Sequence, residues 1–197
     1  LASVLAVQYV CTRVWELPAF DPRSALISGL SLCLLLRTDA IWVVPVAAVI
    51  TIASKFVIAI GRKHVFNPTN LGLVAMLLLT DAVWVSPGQW GNVAFFAFLM
   101  ACLGGLVAYR AMRSDVALAF IAAYAALVFG RSLYLGEPLA IPLHRLQSGA
   151  LLLFTFFMIS DPKTTPNARI ARFLFGALVA AGAAFVAFVL FKPSGPI

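Results

Sequence analysis

The sequence predicts an all-α integral membrane protein, a bundle of about eight transmembrane or partly spanning helices arranged as an inverted repeat. Three observations lead there. Hydrophobic residues make up 63% of the 197, charged residues only 11%, and mean hydropathy is +1.03. A soluble domain of this size has too little interior to hide that much apolar surface, so lipid is its solvent. The net charge of +7 is carried in short clusters between apolar runs, the pattern of cytoplasmic loops rather than of a nucleic-acid-binding face. Finally, one polar motif occurs twice at matching spacing, near residues 64–81 and again near 144–161.

Apolar segments run over 1–12, 24–36, 40–60, 68–85, 91–109, 115–134, 145–160 and 173–191, and together make one transmembrane domain over 1–197. The first begins at Leu1, already inside an apolar run, so the chain is expected to be incomplete at its N-terminus, and no cleavable signal peptide is assignable. A hydrocarbon core takes about 20 helical residues. Segments 24–36, 68–85 and 145–160 fall short of that and are flanked by polar residues, as broken or half-spanning helices are.

Alternating the segments places Arg13, Arg23, Lys55, Arg62, Lys63, Arg110, Arg113, Lys163, Arg169 and Arg172 on one side. That is ten of the 14 basic residues, with Arg37, Arg131, Arg145 and Lys192 on the other. The richer side is cytoplasmic, and the expected location is the bacterial inner membrane, crossed many times. Trp42, Trp84 and Trp90 then fall at the outer interface, where amphipathic rings sit.

The motif that breaks the apolar pattern is "GRKHVFNPTNLGLVAMLLLTD", Gly61 to Asp81. Its partner is "HRLQSGALLLFTFFMISD", His144 to Asp161. In both, His precedes Asp by 17 positions: His64 to Asp81 and His144 to Asp161. Asn67 aligns with Gln147, and Thr80-Asp81 with Ser160-Asp161. The first copy runs from inside to outside and the second returns, the mark of antiparallel repeats about an axis in the membrane plane. A third Thr-Asp, in "RTDAIWV" (Arg37 to Val43), resembles "LTDAVWV" (Leu79 to Val85) and reads as an interfacial way of ending a helix.

Within the first copy, Pro68 suits the first helical position, which makes Asn67 the N-cap and puts Thr69 and Asn70 in the first turn. The free amides of that turn and the helix dipole favour an anion or carbonyl oxygens, and two carboxamides suit the edge of a heteroaromatic ring. In the second copy, Ser160, Asp161, Thr164 and Thr165 lie at the cytoplasmic end, which the inverted repeat brings to the side of Asn67 and Asn70. A carboxylate near membrane depth is costly and marks a functional candidate. Against this stands the bland alternative at both places: a polar helix cap at Asn67 and an interfacial Asp-Pro turn at Asp161.

Other chemistry is set aside. Cys11, Cys33 and Cys102 are isolated in apolar surroundings and read as small hydrophobes. His64 and His144 fall on opposite sides of the membrane and share no metal. Gly104-Gly105 and the Ala/Gly run from Phe175 to Phe188 read as helix-packing faces. No nucleophile or acid–base pair stands out, so independent catalysis is the weakest option.

"GRKHVFNPTNLGL" resembles the "KHxFNP" signature of the RnfD/NqrB family, membrane subunits of Rnf complexes and of the sodium-pumping NADH:quinone reductase. "QSGALLLFTFFMISDPKTTP" is similar to that family's "SGGxxxxxFFMxTDPxxxP" segment. The chain looks closer to the short homologues associated with enediyne biosynthesis clusters than to the full-length pumps. The resemblance implies a urea-transporter-like fold holding flavin for transmembrane electron transfer, with soluble or membrane redox partner subunits or proteins. It carries flavin contacts onto Asn67, Pro68, Thr69, Asn70, Ser160, Asp161 and Thr164. The family's pumps attach FMN through the Thr of an "SGAT" motif, whereas here Ser148-Gly149-Ala150 is followed by Leu151. Any flavin, riboflavin or FMN, is therefore expected to be non-covalent, with Arg62 and Lys63 beside His64 as the visible phosphate clamp. Two function classes remain: a flavin-binding electron relay, or a transporter or channel for a small polar solute, flavin itself among the candidates, using the same inverted-repeat fold.

Overall fold

The computed structural model describes residues 1–61, 63–86 and 93–189, without the side chains of residues 93 and 94. Arg62, Trp90 and Lys192, named above, lie outside the described residues. The chain forms two compact units, Leu1–Ser86 and Pro87–Ile197, and each holds one copy of the repeated motif.

In the first unit the order is α1 (Ala2–Val14), α2 (Pro22–Leu35), β1 (Leu36–Thr38), α3 (Val43–Val57), β2 (Ala59–Ile60), β3 (Lys63–His64), α4 (Pro68–Leu79) and β4 (Val83–Val85). α2 and α4 begin in the same way. Asp21 accepts from the amides of Arg23 and Ser24, Asn67 from those of Thr69 and Asn70, and in each helix Pro occupies the first position. An Asx side chain there satisfies amides that have no intrahelical partner, and proline gives up a donor that would be unused.

The chain is mostly helical, as expected, and a pair of short strands appears at the far ends of these helices. Leu36, at the end of the run 24–36, opens β1, and Val83–Val85, at the end of 68–85, form β4; the two pair antiparallel with Leu36 opposite Val85, Arg37 opposite Trp84 and Thr38 opposite Val83. Val-Trp-Val favours extended backbone. The threonines add a local competitor for the helix, since Thr38 Oγ1 accepts from Ala40 N at 3.0 Å and Thr80 Oγ1 from Ala82 N at 3.1 Å. The two look-alike Thr-Asp stretches thus share a threonine-closed turn, and Asp39 and Asp81 are both exposed. A second pair, β2 and β3, turns at Gly61, whose φ of 61° is left-handed and suits glycine.

The apolar core of this unit includes Val43, Ala47, Met76 and Val83. At Gly72, α4 presses on α3 so closely that a Cβ would come within 1.9 Å of Thr51 Oγ1. Buried polar groups are bonded across helices: Lys55 Nζ donates to Ser24 O at 2.9 Å and Ser24 Oγ at 3.1 Å, and Thr69 Oγ1 to Ser28 O at 3.4 Å. In an apolar surrounding such bonds have no water to replace them.

The second unit comprises α5 (Val93–Arg110), α6 (Ser114–Leu135), α7 (Ala140–Leu146), α8 (Gly149–Leu153) continuing as a π-helical stretch (Phe154–Met158), and α9 (Arg169–Phe188). α6 and α9, of 22 and 20 residues, are long and apolar enough to cross a membrane. At 1.5 Å per residue they reach about 30 Å, the thickness of the hydrocarbon core. The other apolar helices are shorter. α9 meets α6 through small residues: Ala180, Ala183 and Ala184 are buried, and a Cβ on Gly176 would lie 3.0 Å from Phe120 N and Val116 O. Of the Gly104-Gly105 pair only Gly104 makes a close approach, where a Cβ would be 2.5 Å from Phe156 Cβ. In the π-helical stretch Ile159 N reaches back to Phe154 O at 2.9 Å, and Thr155 Oγ1 donates to Leu151 O at 2.7 Å. α7, between the apolar runs, is not foreseen by hydropathy because it is short and carries His144 and Arg145. Large apolar side chains face outward on both units, Ile41 and Tyr134 at 89% exposure, as lipid-facing surface does.

Candidate functional site

The first copy of the motif is built around the start of α4. The Asn67 side chain accepts from Thr69 N at 3.1 Å and Asn70 N at 3.3 Å. This corrects one expectation: those first-turn amides are already satisfied and are not open to an anion. Thr69 is also committed, being buried with its hydroxyl on Ser28 O, and Pro68 packs inside beside it. The carboxamide of Asn70 differs. Its Oδ1 is fully covered, yet has no hydrogen-bond partner among the described residues. A buried acceptor left unmatched costs about 1–3 kcal/mol, so it points to a missing donor. Lys63 and His64 stand half-buried on β3 a few residues away, while Arg62 lies outside the described residues.

The second copy forms a compact turn after the π-helical stretch. Asp161 Oδ1 accepts from Lys163 N at 2.9 Å, and Asp161 O accepts from Thr164 N, Thr165 N and both threonine hydroxyls, each at 3.1 Å. Ser160, buried, donates to Phe156 O. Ser160, Thr164 and Thr165 thus close their own turn, and Asp161 keeps a second, half-exposed carboxylate oxygen with no described bond.

The two copies differ locally. His64 sits on a strand and His144 on a helix. Asn67 caps its helix, whereas Gln147, its aligned partner, ends α7, and Ser148 precedes α8.

Sequence reasoning missed the groups that fix the second turn. Arg113 Nε donates to Thr165 Oγ1 at 2.8 Å. Arg172 gives Nε at 2.8 Å and Nη2 at 2.6 Å to Asp115 Oδ2, and Nη1 at 2.6 Å to Asn167 O. Asp115 Oδ1 also accepts from Val116 N at 2.9 Å, in the first turn of α6 where the helix dipole favours a carboxylate. The one available signal was that acid at the start of a long apolar helix. The loop arginines had been counted only as topology markers. Lys55 was likewise counted as a loop charge, yet it is buried.

The NQR2, RnfD, RnfE family model matches residues 69–196. The match takes in the whole second motif and starts just after Pro68 in the first. Among similar proteins are the RnfD subunits of the ion-translocating oxidoreductase complex from Escherichia coli O9:H4 (strain HS) and from Escherichia coli (strain K12), each 35% identical over 103 residues. The protein of the same name from Shigella boydii serotype 18 is similar to the same degree. These alignments cover 51% of this chain and 26% of each relative, so the chain spans about a quarter of the relatives' length. With most of its length matched, from the first turn of α4 to beyond the end of α9, this chain belongs to the NQR2, RnfD, RnfE family.

Proposed function

We propose that the chain is an integral-membrane subunit of a redox complex, holding a non-covalent flavin through which electrons pass. The carrying observation is Asn70 Oδ1, covered and without a described partner, next to a helix start whose amides are already capped. A cap that served folding alone needs Asn67; it does not need a second buried carboxamide with an unmatched acceptor. The edge of a flavin ring carries a ring N–H beside carbonyl oxygens, and one carboxamide matches both. Within its own unit, Asp161 is a separate candidate for a flavin contact, through the carboxylate oxygen its turn leaves unused. A bound flavin supplies one- and two-electron redox chemistry. The family assignment supports the same reading, as do relatives named as subunits of an ion-translocating oxidoreductase complex. The two motif copies are taken as the halves of an inverted, urea-transporter-like repeat in the bacterial inner membrane, with further redox subunits as partners.

The test is colour and its release. Detergent-purified protein is expected to show a flavin spectrum that survives dialysis, and acid denaturation is expected to free all of it, as riboflavin or FMN. No fluorescent band should remain at the mass of the chain on a denaturing gel, because Ser148-Gly149-Ala150 is followed by Leu151 rather than by an attachment Thr. A fluorescent band overturns the non-covalent assignment. A colourless protein that moves a polar solute across vesicles overturns the redox reading in favour of transport.

A further inference from the structure

In the first unit a groove of about 310 Å³ runs between α1, α2 and α3. Val4, Gly29, Leu32, Val44, Ala47 and Ala48 line it, and its polar end is formed by Arg37 and Thr38 of β1. Gly29 lets α1 close one wall, since a Cβ there would lie 2.7 Å from Val4 Cγ2. Arg37 is exposed at the end of α2, where its Nη1 donates to Cys33 O at 2.8 Å and Leu36 O at 3.2 Å. Those bonds hold the last carbonyls of the helix and use one nitrogen. Nε and Nη2 have no described bond, and the ion pairs among the described residues, Arg131–Glu137 and Arg172–Asp115, leave Arg37 out. The groove therefore pairs an apolar trough with a planar cation whose charge no described carboxylate neutralises.

We infer that this groove seats one acyl chain of an anionic phospholipid, with the lipid phosphate on the Arg37 guanidinium. Charge complementarity selects the occupant. Arginine presents a fork that suits phosphate oxygens, and an apolar groove that it helps to line fits a molecule with both parts. A zwitterionic lipid brings its own cation to the same place, and a neutral quinone head leaves the guanidinium uncompensated. The inference is independent of any flavin: every residue it uses lies on α1, α2, β1 or α3, and none is a candidate flavin contact.

Native mass spectrometry of the detergent-purified full chain, titrated with phosphatidylglycerol or phosphatidylcholine, tests it. One phosphatidylglycerol is expected to remain bound, with phosphatidylcholine at least tenfold weaker. Arg37→Gln should lower phosphatidylglycerol retention about tenfold, the order of a lost charge-assisted contact. Arg37→Lys should keep most of it, which separates charge from folding. Val44→Phe, at a half-exposed wall position, should also lower it by filling the trough. Equal retention of both lipids, retention unchanged by Arg37→Gln and Val44→Phe, displacement by a neutral quinone, or no lipid retained by the natural chain would overturn the inference.

Discussion

Replacing Arg172 with Leu is expected to lower the melting temperature of the purified protein by roughly 5–10 °C. The guanidinium places two nitrogens on Asp115 Oδ2 and a third on Asn167 O, and both charged side chains are mostly covered, at 15% and 16% exposure. Removing one partner strands the other charge in a site shaped for a pair. Full burial would make that loss about 3–5 kcal/mol. Partial exposure and the remaining Val116 amide reduce it to about 2–3 kcal/mol. For a chain of this size each kcal/mol moves the melting temperature by about 2–4 °C. The double variant Asp115→Leu/Arg172→Leu should be less damaged than the sum of the two single changes, because neither charge is then left unmatched. Intrinsic tryptophan fluorescence during a thermal ramp reads both effects. Additive single and double effects would show that the pair is not coupled.

Gly72→Val is expected to be at least as damaging, by about 3 kcal/mol or more, at the upper end for overpacking. A Cβ at position 72 would come within 1.9 Å of Thr51 Oγ1 and 3.1 Å of Thr51 Cβ, so the threonine hydroxyl must turn away, and the two further carbons of valine add to the crowding between α3 and α4. Thr51 is fully buried and its hydroxyl has no described partner, so Thr51→Ala removes the clash at little hydrogen-bonding cost. Gly72→Val/Thr51→Ala should recover part of the loss. Gly182→Ala serves as the control, since a Cβ there meets nothing within 4 Å, and its melting temperature should barely move. A Gly72→Val protein as stable as the natural one would mean that α3 and α4 are not in contact at this point.

The long helices were legible because their signal is long. α6 and α9 follow the apolar runs 115–134 and 173–191 within a few residues, and the small-residue face of α9 meets α6 as its Ala/Gly pattern implies. The shorter runs misled at one end. Hydropathy is blind to whether Val-Trp-Val continues a helix or leaves it, so β4 was absorbed into the segment 68–85, as was Leu36 of β1 into 24–36. The N-cap at Asn67 was legible from the Asx-Pro pair, and the structure repeats the same device at Asp21-Pro22. What the cap does was not legible: a side chain that occupies the first-turn amides removes the anion site that those amides would make. Arg172 and Asp115 stand 57 positions apart, and nothing local to either announces the other. Counting basic residues for topology found the right amino acids for another reason.

The most direct test of the flavin assignment is the flavin-to-protein ratio of the natural chain beside three variants matched for melting behaviour. Asn70→Leu removes the covered acceptor at nearly constant volume and is expected to weaken flavin binding ten- to hundredfold, the order of about 1–3 kcal/mol for one buried polar contact. Asp161→Asn keeps an acceptor for Lys163 N but removes the charge, and is expected to lose flavin as well, since charge-assisted bonds are the stronger ones. Asp39→Leu, on the exposed look-alike turn, should leave the ratio unchanged. Full flavin occupancy in all three variants would contradict the account, and the polar start of α4 would then be a helix cap and nothing more.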